Sequence, residues 1–275
     1  MSKLKPTGFH VRHDLRPNLA RELLQILQAQ PRGCSDNEIR QIAAAHGYDL
    51  RQRKSYAKLL RSLKDLEVIE QESEAYRLNR HGQVIADIST YYPYLFPEFI
   101  HFLYYTSWDN NEKKRFSWSY RTVSLALWQS APGVVDRDSL VNLVIQQAQD
   151  RFAVDSISFS ISSTVGILNW LGELQPTCLH QDGKVTYFEL RPYCSVELFT
   201  LALHHVWNKY RNGDLYVSIS ETLRQQICQI CVLAIEAFTG MLDQAEESFP
   251  ALHVRRERGE RFSLAGFSWE TLTED

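Results

Sequence analysis

The apolar positions of the first eighty residues change period along the chain, and those changes outline three helices followed by a hairpin. Leu19, Leu23, Ile26 and Leu27 recur at helical steps, Pro17 suits a first helical turn, and Gln30-Pro31-Arg32-Gly33 ends the pattern. Ser35 with Glu38 three residues later has the form of a capping box; Ile39, Ile42 and Ala43 supply an apolar stripe, and Gly47 is placed to stop a short second helix in a left-handed conformation. After Gly47-Tyr48-Asp49, residues 51–66 project as a third helix with two faces. Tyr56, Leu59, Leu60, Leu63 and Leu66 share one; Arg51, Lys54, Lys58 and Arg61 share the other. Val68-Ile69, the polar turn Glu72-Ser73-Glu74 and Tyr76-Arg77-Leu78 then read as a two-stranded hairpin.

Residues 91–120 carry twelve aromatics, among them Tyr91, Tyr92, Tyr94, Phe96, Phe99, Phe102, Trp108 and Trp118, broken by a polar turn at 109–115. This predicts helix-rich packing between units. A second pass of the first plan follows: a helix at 122–129, a loop with Pro132-Gly133, helices at 139–150 and 158–173, and a hairpin turning at Asp182-Gly183. The order repeats residues 18–79 at a displacement of about 100 positions, which predicts a tandem duplication. Beyond it come a helix at 196–210, a break at Asn212-Gly213-Asp214, and a helix opened by Ser218 with Glu221 and running to about Thr239. A last hairpin over 252–264 turns at Gly259. The expected fold class is mainly α with small β-hairpins (α+β), in four segments: a first domain at 1–90, an aromatic helical connector at 91–120, a second domain of the same plan at 121–192, and a C-terminal helical region with a terminal hairpin at 193–275.

Composition fits a folded chain: of 275 residues 44% are hydrophobic, with only 12 Gly and 9 Pro. No run approaches the roughly 18 apolar residues of a membrane helix, and residues 1–10 have no apolar stretch after their lysines, so a soluble, unexported protein is expected. Five cysteines at irregular positions (Cys34, Cys178, Cys194, Cys228, Cys231) fit free thiols in a reducing compartment, the cytoplasm, better than a disulfide framework. The net charge of −3 hides an asymmetry: residues 1–90 hold 15 Lys/Arg against 11 Asp/Glu, a balance of +4, and residues 91–275 hold 15 against 22, a balance of −7. Local charge decides contact with nucleic acid.

The stretch LLRSLKDLEVIEQESEAYRLNRHGQVIADI, residues 59–88, resembles the recognition-helix, wing and following-helix portion of bacterial winged helix-turn-helix proteins. The likeness spans roughly residues 15–90 and is to a superfamily. It implies double-stranded DNA as a partner, although many winged helices dock proteins instead. Within it, Arg51, Arg53, Lys54, Lys58, Arg61 and Lys64 give six basic residues between 51 and 64 with no acidic one. Phosphate neutralisation needs such charge without counter-charge, and Gln52 and Ser55 near the helix start are placed to reach base edges in the major groove. Arg77 and Arg80 flank the wing, where backbone or minor-groove contact is expected. A merely solvated amphipathic helix would show the same face.

The second pass differs in charge. No Lys or Arg occurs from 152 to 183, so its equivalent helix offers Ser158, Ser160, Ser162, Ser163 and Thr164, which suits protein contact better than phosphate. Near the C-terminus, Arg255, Arg256, Arg258 and Arg261 alternate with Glu257 and Glu260, which are placed to pair with them. Cys228-x-x-Cys231 lies beside Ile227, Ile230 and Leu233 with no second ligand pair, which makes these core thiols; His204 and His205 point to different sides of a helix and read as structural. No phosphate loop, nucleophile elbow, zinc-protease motif or nuclease-type carboxylate pair is present. A non-catalytic protein without cofactor or metal is therefore expected. The leading expectation is a transcriptional regulator that reads duplex DNA with helix 51–66 and a wing at 67–79, and that assembles as a homodimer or with a partner protein through its second domain and C-terminal region. The competing expectation is a non-catalytic DNA- and protein-binding subunit of a larger DNA-processing or defence assembly.

Overall fold

Pro17 opens the first helix, as its fixed φ and missing N–H allow: α1 spans Pro17–Gln28 and buries Ala20, Leu23, Leu24, Ile26 and Leu27. The computed structural model describes residues 7–12, 15–47, 53–154, 156–257 and 259–272, with the backbone alone at 53–56. Strand β2, Cys34–Ser35, leads into α2, Asp36–Ala45, through the expected capping box: Ser35 Oγ accepts from the Glu38 amide, and the Glu38 carboxylate accepts from the Ser35 amide. Gly47 follows at φ +79°. Helix α3, Arg53–Asp65, precedes the hairpin of β3, Ile69–Glu72, and β4, Ala75–Leu78, whose register sets Ile69 opposite Leu78 and Glu70 opposite Arg77. Because β2 pairs with the outer side of β4, the sheet order is β2-β4-β3.

Helix α4, Arg80–Tyr91, is capped by Asn79, which accepts from the Gly82 amide, and packs along α1. Gly82 has a packing reason: a Cβ there would stand 1.9 Å from the Val68 carbonyl oxygen. The aromatic stretch becomes α5, Phe96–Asn110, and α6, Arg115–Ser130. The latter is longer than the helix expected at 122–129.

Two compact units emerge, neither of them continuous in sequence. The first comprises residues 1–123 and 136–173, and includes α7, Arg137–Phe152, and α8, Ile161–Leu171. Its aromatic core stacks Tyr104 on Tyr120 at 4.9 Å and sets Phe9 against Trp118 and Phe152. The N-terminal strand β1, Thr7–Gly8, pairs in parallel with β6, Ile157–Ser158, and the His10 imidazole bridges Ser158 and Ser163 at 2.8 and 3.0 Å. Residues 158–160, expected within a helix, therefore belong to this strand and its exit.

The second unit comprises residues 124–135 and 174–275, so the segment 121–192 is shared between the two. It contains β5, Gly133–Val134, with β7, Leu179–Asp182, and β8, Val185–Phe188, in the order β5-β8-β7. Gly183 turns that hairpin at φ +57°. Helix α9, Val196–Tyr210, β9, Val217–Ser218, and α10, Glu221–Cys231, follow. Ser218 lies in a strand, the cap is Ser220, and the helix expected to reach Thr239 stops where Val232 turns left-handed at φ 53°. A separate helix, α11, Phe238–Ser248, then leads to β10, His253–Arg255, and β11, Arg261–Ser263, with β9 joining them in the order β10-β11-β9.

The break between α10 and α11 creates a third pass. The order α1-β2-α2-α3-β3-β4 recurs as α6-β5-α7-α8-β7-β8, with β6 added, and as α9-β9-α10-α11-β10-β11. In each, the short first strand pairs with the second strand of the hairpin. All five cysteines are buried and unbridged, Cys228 and Cys231 within the core of the second unit. Among the described residues, no helix is long and apolar enough to cross a membrane.

Candidate nucleic-acid interface

Helix α3 separates its side chains as the leucine spacing dictates. Leu59, Leu60, Leu63 and Leu66 are at most 1% exposed, whereas Lys58, Arg61 and Lys64 stand in solvent. Burying four leucines anchors the helix with roughly 6–10 kcal/mol of transfer free energy, which holds its cationic face in one orientation. Ser62, buried between the leucines, donates to the Lys58 carbonyl one turn back. The helix ends without glycine: Glu67 takes φ +58°, and the Val68 amide closes back on the Leu63 carbonyl. Of the predicted contact residues, Arg51 and Gln52 lie outside the described residues, as do the side chains of Arg53, Lys54 and Ser55.

The β3–β4 hairpin carries a different charge from the helix. Its sequence holds Glu70, Glu72 and Glu74 against one cation, Arg77, whose guanidinium is held by Glu70 at 2.6 Å and Glu72 at 3.0 Å. These two carboxylates raise the Arg77 pKa further. Lys64 donates to Gln71 on the same hairpin at 3.1 Å. Arg80 is exposed at the first position of α4.

Beside the C-terminal end of α3 the first unit holds a cleft of about 510 Å³ that no sequence signal announces. Its cations are Arg12, Lys64, Lys113, Lys114 and Arg115, and its carboxylates are Asp65 and Glu67. They arrive from three separate stretches, the segment after β1, the end of α3, and the α5–α6 turn with the first residue of α6, and the middle of α5 adds Tyr104. Asn111 builds that turn by accepting from the Lys113 amide, and the Arg115 guanidinium lies over the rings of Phe9 and Phe152 at 5.4 and 5.5 Å. Lys114, only 10% exposed, pairs with Glu67 at 2.8 Å. Burial raises the Asp65 carboxyl pKa, against the pull of Arg12, Arg61, Lys114 and Lys64.

The remaining candidates resolve into structure. Arg256 pairs with Glu246 and Asp243 on α11, and Glu260 pairs with Arg224, so the interleaved Glu257 and Glu260 are not the partners of Arg256. Arg255 lies over the Tyr216 ring at 4.2 Å, and Arg258 is outside the described residues. His204 packs against Phe267 and accepts or donates to Asn208 at 2.9 Å; burial lowers its pKa to about 4, with His205 and Arg211 adding to the effect. Burial pushes the Cys228 thiol up to about 12, which leaves it unreactive. Comparison with protein families, with curated proteins and with solved structures finds no match for the chain.

Proposed function

We propose that this chain is a non-catalytic DNA-binding protein whose first helix-strand-helix-helix-hairpin pass is a winged helix, with α3 as the element that enters the major groove. One observation carries the reading: Lys58, Arg61 and Lys64 form an exposed cationic stripe on the third helix of that pass, opposite a buried leucine seam. Cations at three-residue steps lie along one helix face and are spaced to follow a phosphate backbone. The β2-β4-β3 sheet and the N-cap of α4 agree with the winged-helix arrangement. Arg77, held by two carboxylates, is a weaker phosphate ligand than its position suggests.

In the regulator reading, this reading head works within a homodimer on a defined site. A specific feature favours the second reading, a DNA- and protein-binding subunit of a larger assembly. Helix α8 holds no charged residue, and α11 carries Asp243, Glu246 and Glu247 with no Lys or Arg. Two of the three passes therefore lack a cationic third helix, which suits contact with protein.

Fluorescence anisotropy of the purified chain on random duplex and on DNA from its own promoter separates the readings. A regulator prefers the promoter by on the order of a thousandfold. An assembly subunit binds both alike, and absence of duplex binding at low salt overturns the DNA reading.

A further inference from the structure

We infer that the cleft between the N-terminal segment, the end of α3 and the α5–α6 turn is a binding site for a phosphate group, with Arg12, Lys113 and Arg115 as its cations and the Tyr104 hydroxyl as its inner donor. It deepens the DNA reading by naming a second phosphate site, but rests on different residues from the helix stripe.

The charge on the walls is the first reason. Five cations face two carboxylates, and one of those carboxylates, Glu67, is taken by Lys114. Lys64 is already turned toward Gln71. Among the described residues, no carboxylate stands within ion-pair distance of Arg12, Lys113 or Arg115. An arginine fork and a lysine converging on a concave wall make the arrangement that recognises a phosphate dianion. Arg115 is also fixed in place, since its guanidinium rests on two aromatic rings, so little side-chain freedom is lost on binding.

The second reason is independent. Tyr104 lines the cleft and is 2% exposed, and its hydroxyl has no hydrogen-bond partner. It lies near enough to Asp65 and Arg12 for both charges to act on it. A buried hydroxyl left unpaired is costly, and among the described residues Tyr104 is the one such group that lines the cationic cleft. Bound phosphate oxygen accepts from that hydroxyl and from the cations together. The volume falls in the range of small-ligand pockets, large enough for a mononucleotide or for the terminal nucleotide of a DNA end.

Calorimetric titration of the full chain tests the site with inorganic pyrophosphate, with a deoxynucleoside monophosphate, and with a short duplex carrying either a 5′-phosphate or a 5′-hydroxyl. Pyrophosphate is expected to bind, and Tyr104→Phe and Lys113→Glu each to weaken it at least about tenfold. Because Tyr104→Phe removes an unpaired buried hydroxyl, its melting temperature is expected to equal or exceed that of the parent chain, which separates lost binding from lost folding. Preference for the 5′-phosphorylated over the 5′-hydroxyl duplex assigns the site to DNA ends; preference for the free nucleotide assigns it to a small ligand. The double variant Lys58→Ala/Arg61→Ala is expected to weaken duplex binding and leave pyrophosphate binding intact, so the two readings fail separately. No binding of any phosphate compound, or affinities unchanged in both cleft variants, overturns the proposal.

Discussion

Replacing Lys58, Arg61 and Lys64 together by alanine removes the cationic stripe of α3, along with the exposed Lys64–Gln71 hydrogen bond. All three side chains are exposed, and the buried seam of Leu59, Leu60, Leu63 and Leu66 stays intact. Alanine is the strongest helix former, and exposed changes of this kind shift stability by about 0.5 kcal/mol or less. The electrostatic cost is far larger. Each phosphate contact adds about 0.9 to the log–log salt slope and accounts for about a 3.5-fold loss of affinity between 50 and 200 mM salt. A chain making about four such contacts has a slope near −3.6 and loses roughly 150-fold over that interval; with about one contact left, the slope is near −0.9 and the loss only about 3.5-fold. Anisotropy titrations of a labelled duplex at several salt concentrations, beside thermal melts of both proteins, read the two effects apart. A triple variant that keeps the parent slope and affinity refutes the assignment of α3 to DNA.

Charge on the β3–β4 hairpin gives a prediction of opposite sign: Glu70→Gln with Glu72→Gln releases Arg77 and removes two anions, so duplex affinity is expected to rise several-fold, and a fall in the same titration would show that Arg77 needs its carboxylates for orientation. His204 makes the second unit acid-sensitive. Its folded pKa of about 4 lies below the unfolded value of 6.5, so the unfolded chain binds more protons between these values and stability is lost as pH falls from 6.5 to 4, by at most about 3 kcal/mol. Denaturant melts across that window should lose this slope in His204→Leu. Gly82→Ala forces a methyl into the Val68 carbonyl and should cost about 3 kcal/mol or more, a lowered denaturation midpoint with unchanged steepness; a stable alanine variant would disprove that close approach.

What the sequence showed was local, and what it hid was not. The capping box at Ser35 and Glu38, the left-handed Gly47, Gly183 and Gly259, and the leucine seam of α3 are short-range signals, and each appears in the structure as read. The third pass was hidden by one residue. Val232 is β-branched and sits at φ 53°, where glycine or asparagine is the usual choice, so nothing marked the break between α10 and α11. The cleft was hidden by distance, since Arg12, Lys64, Tyr104 and Lys113 share no periodic pattern and meet only after the chain folds. Likewise the parallel pair of β1 and β6 joins two-residue strands on either side of the seven helices α1 to α7, too short for any period to declare itself.

Charge was the least safely read property, for a geometric reason. Counting cations treats Arg77 and Lys58 alike, yet the hairpin register sets Glu70 directly across from Arg77, at the spacing where cross-strand pairs form. On α3, the positions one turn beyond Lys58 are Arg61 and Ser62, so the helix repeats cation on cation and its own sequence supplies no counter-charge until Asp65. Asp65 in turn lines the cleft, where burial raises its pKa while Arg12, Arg61, Lys114 and Lys64 pull it down. The exposed cations of α3 thus outnumber the carboxylates of their own helix, while the β3–β4 hairpin holds its one arginine between two carboxylates. That difference, rather than the number of basic residues, makes the helix and not the hairpin the element to test against DNA.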